Sequence, residues 1–335
     1  MDLFPDTDQQ QIVDTVDDFC RRRFPMETVR AQAGKPQSVE VSDWRALAEL
    51  GCFGLGLPAE LGGTESGVVG ELLVVRELAR YLAPGPVIPT ILAAHVLSAS
   101  QPDVATQVAE GVVRVALAEP SAPVDDGGPQ RYLVGDLGDG LVLVADGDHW
   151  SVYPAAACAD VVAVRALDPS TRLATMALAG LEPLVSVRAT ALQSRAHVLV
   201  AAAMCGVAAV TTAASVEYAK NRTQFGQPIG AFQVVKHRCA EMAVRTEAAF
   251  SQTVYAGLVF DENGADAEFQ AVAARLIAST AAGDNCADNI QNHGGIGFTE
   301  ECDAHLYLRR WRALERTLGD RFSVADRLAA LPAAQ

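Results

Sequence analysis

The hydrophobic period of this 335-residue chain changes twice, and that change limits the fold more than any single motif does. Up to about residue 112 the apolar positions recur at helical spacing. Ile12, Val13, Val16, Phe19 and Cys20 share one helical face, with Asp14, Asp17 and Asp18 turned away from it. A second helix, WRALAELG, takes Ser42 or Asp43 as its cap and stops at Gly51. After the loop LPAELGG a third runs over 70–82 and is ended by Pro84-Gly85-Pro86, and the apolar stretch 88–100 reads as buried. Between 113 and 186 the pattern breaks into short apolar runs (RVALAEP, RYLVGD, LVLVADGD, WSVYPA, DVVAVRAL, TMALAG) separated by Gly, Asp and Pro, the signature of six or seven strands. Long helical blocks then return at 191–220, 231–260, 265–292 and 303–330.

Helices, a small β unit and helices again make an α+β order. The expectation is an N-terminal helical domain (1–112), a middle small β-barrel or sandwich domain (113–190) and a C-terminal four-helix bundle (191–335). Neither a G-x-G-x-x-G after a strand nor a G-x-x-x-x-G-K-[ST] occurs, so a doubly wound nucleotide fold is not expected.

Composition narrows the function classes. A net charge of −15 argues against nucleic-acid binding and against docking on an anionic membrane, both of which need clustered Lys and Arg. The N-terminus, MDLFPDTDQQ, lacks the basic-then-apolar layout of a signal peptide, which favours a cytoplasmic location. Residues 198–216 carry no charge and could span a bilayer by length, but Ala, Thr, Ser and Gly dominate them, as in a buried bundle helix. The seven cysteines, at 20, 52, 158, 205, 239, 286 and 302, form no CxxC, and the six histidines form no H-x-x-x-H. An odd count of thiols without a signal peptide reads as reduced cysteine, and no metal site is expected.

Two segments offer chemistry. In NRTQFGQPIGAFQVVKHRCAEM (221–242) a helix ends, a Gly-containing turn follows, and a new helix begins near Phe232. A guanidinium such as that of Arg222 suits paired phosphate oxygens, and Gln224 and Phe225 suit the edge and face of an aromatic ring system. In QNHGGIGFTEECDAHLYLRRWRALE (291–315) three glycines allow close approach to the backbone. Taken singly, each segment reads equally as a polar loop of a helix bundle, the second with Gly at a helix C-terminus.

Together, R-x-Q-F-G-x-P-I-x-x-F-Q followed by Q-x-x-G-G-x-G-[FY]-x-x-E closely resembles the acyl-CoA dehydrogenase family, as do the block order and the stretch WRALAELGCFGLGLPAELGG. The resemblance implies that Arg222, Gln224, Phe225 and Gln233 bind the ADP half of a FAD held mainly by a neighbouring subunit, with Gln291, Gly294 and Gly295 on the same cofactor. It also implies α,β-dehydrogenation of an acyl-CoA in lipid or steroid degradation, electron-transferring flavoprotein as acceptor, and assembly as a dimer or tetramer.

The chain departs from that pattern at the catalytic base. The family's E-G-T triplet falls on Leu318-Gly319-Asp320, and the family's other base position falls on Ala196. Neither residue accepts a proton. The E-P-x-A-G-S-D loop that touches the flavin ring survives only as Glu119-Pro120, followed by Ser121-Ala122-Pro123-Val124-Asp125, and the W-[IV]-[TS] strand has no counterpart. Glu300, Glu301 and Glu315 are candidate substitutes that read better as solvated carboxylates; His293 reads as a packing residue and His305 as a surface one. No catalytic residue is assigned. The expectation is the base-lacking subunit of a heteromeric acyl-CoA dehydrogenase, working beside a homologous catalytic subunit. The alternatives are a self-sufficient homo-oligomer with a base elsewhere, or a binding or structural relative without redox chemistry.

Overall fold

A computed structural model describes residues 3–120, 131–136, 138–178 and 180–332. Six helices open the chain: α1 (Thr7–Arg23), α2 (Met26–Ala31), α3 (Val41–Glu49), α4 (Gly67–Arg80), α5 (Val87–Ser98) and α6 (Pro102–Ala109). Asp6 and Gln9 form a capping box at the start of α1, and Val16, Phe19 and Cys20 on its predicted face are buried. Helix α3 starts at Val41, ahead of both expected caps. Glu40 is the N-cap, and Ser42 and Asp43 lie in the first turn, where Asp43 is buried and pairs with Arg23 at 3.3 Å. Gly51 follows α3 at φ +78°, the left-handed geometry that ends a helix. Helix α2 is too short to show a period in sequence, and α6 begins on Pro102 at its first turn.

Among the described residues seven strands follow: β1 (Val115–Pro120), β2 (Arg131–Val134), β3 (Leu141–Asp146), β4 (His149–Pro154), β5 (Cys158–Val164), β6 (Leu173–Leu178) and β7 (Val185–Arg188). Their order is β5-β6-β2-β1-β3-β4-β7; β1 and β3 run parallel, Val115 opposite Leu141, and the other pairs are antiparallel. Only the three residues Ala155–Ala157 join β4 to β5, yet these strands lie near opposite edges of the sheet order. So short a link requires the sheet to curl back on itself. Residues alternate accordingly: Leu117 and Leu143 join the core shared with the helices, while Ala116, Ala118, Val142, Val144, Leu133 and Met176 form a second, smaller core.

The C-terminal part holds α7 (Thr190–Asn221), α8 (Gln233–Asp261), α9 (Ala267–His293), α10 (Ala304–Arg316) and α11 (Arg321–Ala330). A two-residue-per-strand hairpin, β8 (Thr223–Gln224) with β9 (Gln227–Pro228), joins α7 to α8. The contacts fix the directions. His197 meets Arg275 and Tyr218 stacks on His293 at 4.2 Å, so α7 and α9 are parallel; Cys205 meets Thr253 and Thr212 meets Thr246, so α8 runs against α7. Helix α7 is long and apolar enough to cross a membrane, but 72% of its most apolar window is buried inside this chain. Its small residues let neighbours close in: a Cβ on Gly206 would lie 2.2 Å from the Arg76 carbonyl oxygen of α4. A buried Asn285 on α9 ties the three long helices, donating to Met242 O, Thr212 and Thr246 and accepting from Arg245. The last helical block, expected as one piece, is two. Leu318 (φ +60°) and Gly319 (φ +103°) take left-handed backbone that no helix continues through.

Candidate functional site

Chemistry collects at the two ends of α7, about 37 Å apart at 1.5 Å per residue from His197 to Arg222. At the far end the structure brings both sequence segments together, because the C-termini of the parallel α7 and α9 and the N-terminus of α8 share one end of the bundle. Arg238 of α8 donates to Asn292 at 2.9 Å and His293 packs on Tyr218, joining the hairpin region to the glycine-rich turn.

Arg222, Gln224, Phe225, Gln233 and Gln291 are all exposed there. Among the described residues nothing engages the Arg222 guanidinium. Phe225 is 92% exposed at φ +52°, with only the edge of Phe232 near it, 6.1 Å between ring centres. Added Cβ atoms on Gly294 or Gly295 would meet nothing within 4 Å. Helix α8, 29 residues long, starts without a side-chain cap, so its first amides and the positive end of its dipole face outward beside Arg222. The set suits an anion with an attached ring system. Such a ligand would be held from one side only.

At the near end lies the 317–319 loop, between α10 and α11. Arg275 of α9 is buried and grips it, donating to Thr317 O, to Gly319 O at 2.7 Å and to Leu318 O at 3.5 Å. Burial lowers Arg275 to about 10, so it stays cationic at neutral pH. The same guanidinium lies 3.3 Å from His197 Nδ1, and burial and that neighbouring charge hold His197 neutral.

One buried and one half-buried carboxylate stand by the two positions where the sequence lacks a base. Glu71 of α4 lies next to the Ala196 position, but both its oxygens are taken, Oε1 by His95 at 2.7 Å and Oε2 by Arg195. Burial pushes it up, and Arg195 and His95 outweigh that and hold it ionised. Glu119, at the end of β1, accepts the Leu318 N–H itself. It lines a cavity of about 480 Å³ walled by Val75, Leu78, Ile88, Leu117 and Leu314. Arg310, also on that wall, is committed to Asp168, Ser170 Oγ and Leu82 O.

The other candidates stand apart. Glu300 and Glu301 are exposed beyond the glycine-rich turn, and Glu315 pairs with Arg312 at 2.8 Å. His293 is a packing residue, its Nδ1–H on Asn289 O, and His305 is half-buried with Nδ1 on Cys302 O. The loop expectation for 121–125 falls outside the described residues. Sequence reasoning missed Glu119 as a carboxylate, reading its E-P pair only as loop context. It also missed Arg275, whose one signal was a lone charge in an alanine-rich helix (AVAARLIAS).

Among the described residues, six helices, a curled seven-stranded sheet and a helical bundle, with an apolar cavity beside its longest helix and an arginine-bearing hairpin at that helix's C-terminal end, define a single architectural class. The descriptions of the N-terminal and C-terminal domains of acyl-CoA dehydrogenases match residues 6–104 and 187–325. Acyl-CoA dehydrogenase IpdE2 of Mycobacterium tuberculosis is 35% identical over 314 residues, covering 92% of each chain. This chain belongs to the acyl-CoA dehydrogenase family. Solved structures agree in fold: the Tcur3481-Tcur3483 steroid ACAD G363A variant (TM-score 0.82, 22% identity, 96% of each chain), and the ChsE4-ChsE5 complex from Mycobacterium tuberculosis (TM-score 0.82, 21% identity, 99% of this chain and 100% of that one).

Proposed function

We propose that this chain is one subunit of a heteromeric acyl-CoA dehydrogenase, the one with no base at either usual position. In that reading it extends its hairpin to a FAD bound mainly by a homologous catalytic subunit. The observation that carries this is separation along α7: Arg222 of the hairpin lies about 28 Å, at 1.5 Å per residue, from Ala203, where α7 lines the chain's own cavity, so a dinucleotide held by the hairpin sits away from that cavity and another chain completes each site. Arg222 and the α8 N-terminus would hold the pyrophosphate, Gln224, Phe225 and Gln233 the adenosine side, and Gln291, Gly294 and Gly295 the facing edge. FAD, when bound, supplies the acceptor for the β-hydrogen leaving as hydride. The substrate would be an acyl-CoA thioester with its apolar part in the 480 Å³ cavity, and electrons would pass to an electron-transferring flavoprotein. The ChsE4-ChsE5 complex, which contains a chain of this fold, supports a two-chain assembly. Seven unpaired thiols accord with a cytoplasmic setting.

The test is to purify the chain alone and co-expressed with a homologous subunit, and to read the flavin bands. Flavin only in the pair is the expected result. Flavin in the isolated chain, bleached by acyl-CoA, would favour the second reading, a self-sufficient enzyme with a base elsewhere; the observation on its side is Glu119. No flavin in either preparation would leave only a binding role.

A further inference from the structure

The carboxylate that Leu318 cannot provide is present at the same place, contributed by a different element. Glu119 reaches from the end of β1 to the loop after α10 and accepts the N–H of Leu318 itself. It does so at the wall of the apolar cavity, whose aliphatic lining comes from α4, α5, β1 and α10. Its charge is not cancelled by a direct ion pair. The cations facing it are Arg275 from α9, whose hydrogen bonds go to the loop carbonyls and His197, and Arg316 from α10, which pairs with Asp320 at 3.7 Å. Among the described residues, no hydrogen bond reaches its second carboxylate oxygen. Glu71 differs on each of these points: both its oxygens are taken, and it does not line the cavity. Burial pushes Glu119 up to about 7, against the pull of the Leu318 N–H and the two arginines, which is the range in which a carboxylate exchanges protons most readily at neutral pH.

We propose that Glu119 is the catalytic base of this chain's own cavity, taking the α-proton of an acyl-CoA thioester onto its second carboxylate oxygen. In this step the α-C–H bond breaks, the electron pair stays on the thioester as its enolate, and the proton becomes the O–H of Glu119. Arg275 is the positioning residue: by gripping three consecutive carbonyls it fixes the Leu318 amide that orients the carboxylate. The proposal rests on the acyl-CoA dehydrogenase reading and holds whichever neighbour, homologous subunit or second copy, completes the flavin site.

The test is α-hydrogen exchange rather than turnover. The purified assembly, kept reduced so that no dehydrogenation competes, is incubated with a saturated acyl-CoA in D2O, and α-deuterium is followed by mass spectrometry. Wild type exchanges; Glu119→Gln lowers the rate about 100- to 10,000-fold, while acyl-CoA affinity changes by less than about threefold. Glu119→Asp, which keeps the carboxylate on a shorter arm, falls between the two and guards against a simple folding effect. Exchange unchanged in Glu119→Gln, exchange absent from wild type, or exchange and affinity falling together would each overturn the proposal. Flavin retention in Arg222→Ala reads the cofactor-sharing proposal separately, so the two can fail independently.

Discussion

Arg222 and Glu119 are opposite cases of a charged side chain. Arg222 is exposed and unengaged, so its value lies in what binds it. In the proposed cofactor-sharing arrangement, replacing it by Ala would remove a charge-assisted phosphate contact worth about 1.5–3 kcal/mol, roughly 10- to 150-fold in FAD affinity of the assembled protein. Equilibrium flavin release checks this; a surface residue without a ligand would stay within about 0.5 kcal/mol in stability and leave release unchanged. Glu119 is half-buried and raised, which makes a stability prediction with a definite sign. Its folded pKa, about 7, lies above the ordinary 4.5, so its contribution is present below pH 4.5 and lost as pH rises through 7. Glu119→Gln should therefore melt close to wild type at pH 5 and higher than wild type at pH 8, read by thermal denaturation at the two pH values. Leu318→Glu sets a second carboxylate beside the first, and like charges raise each other's pKa. We expect no acyl-CoA turnover with an artificial electron acceptor from the isolated chain, wild type or Leu318→Glu, measured by steady-state assay.

At the scale of the element, α7 sets the geometry. Its uncharged middle is enclosed by α4, α8 and α9, and this works only because the facing residues are small. Gly206 is the tightest point, its missing Cβ directed at the Arg76 carbonyl and 3.0 Å from Ala79 Cβ. Gly206→Ala should push α4 off α7 and cost about 1–3 kcal/mol, seen as a melting temperature lower by several degrees without loss of helix signal. The same enclosure agrees with the reading of 198–216 as a buried bundle helix. The apolar surface of 198–216 is consumed inside the chain, and the apolar surface left for a neighbour lies on the hairpin, α8 and the glycine-rich turn: Phe225, Val234, Val244 and Phe298 are 66–92% exposed.

For the whole molecule, exposed apolar side chains on the same end of the bundle as an exposed Arg222 accord with the proposed surface completed by another chain. The chain should be a dimer or tetramer at micromolar concentration by light scattering, and Phe225→Asp with Val234→Asp should shift it toward monomer and reduce flavin retention together. A wild-type monomer would count against any shared site.

The order of helices, strands and helices was legible from period alone, since an amphipathic helix and a half-buried strand differ in the spacing of their apolar residues. So were the two glycine-containing segments, because turns with positive φ and close backbone approach leave Gly, Pro and Asn in place. What sequence could not give was which charges meet. Arg275 and Leu318 are 43 positions apart and Glu119 is 199 from Leu318; no local rule relates them, and they come together only because α9 runs parallel to α7 and the sheet curls onto the helical core. Chain order determined that no carboxylate stands at Leu318 or Ala196. Tertiary packing alone decided that one from β1 stands beside Leu318, because burial and long-range contact, not spacing, set the position and the proton affinity of a carboxyl group.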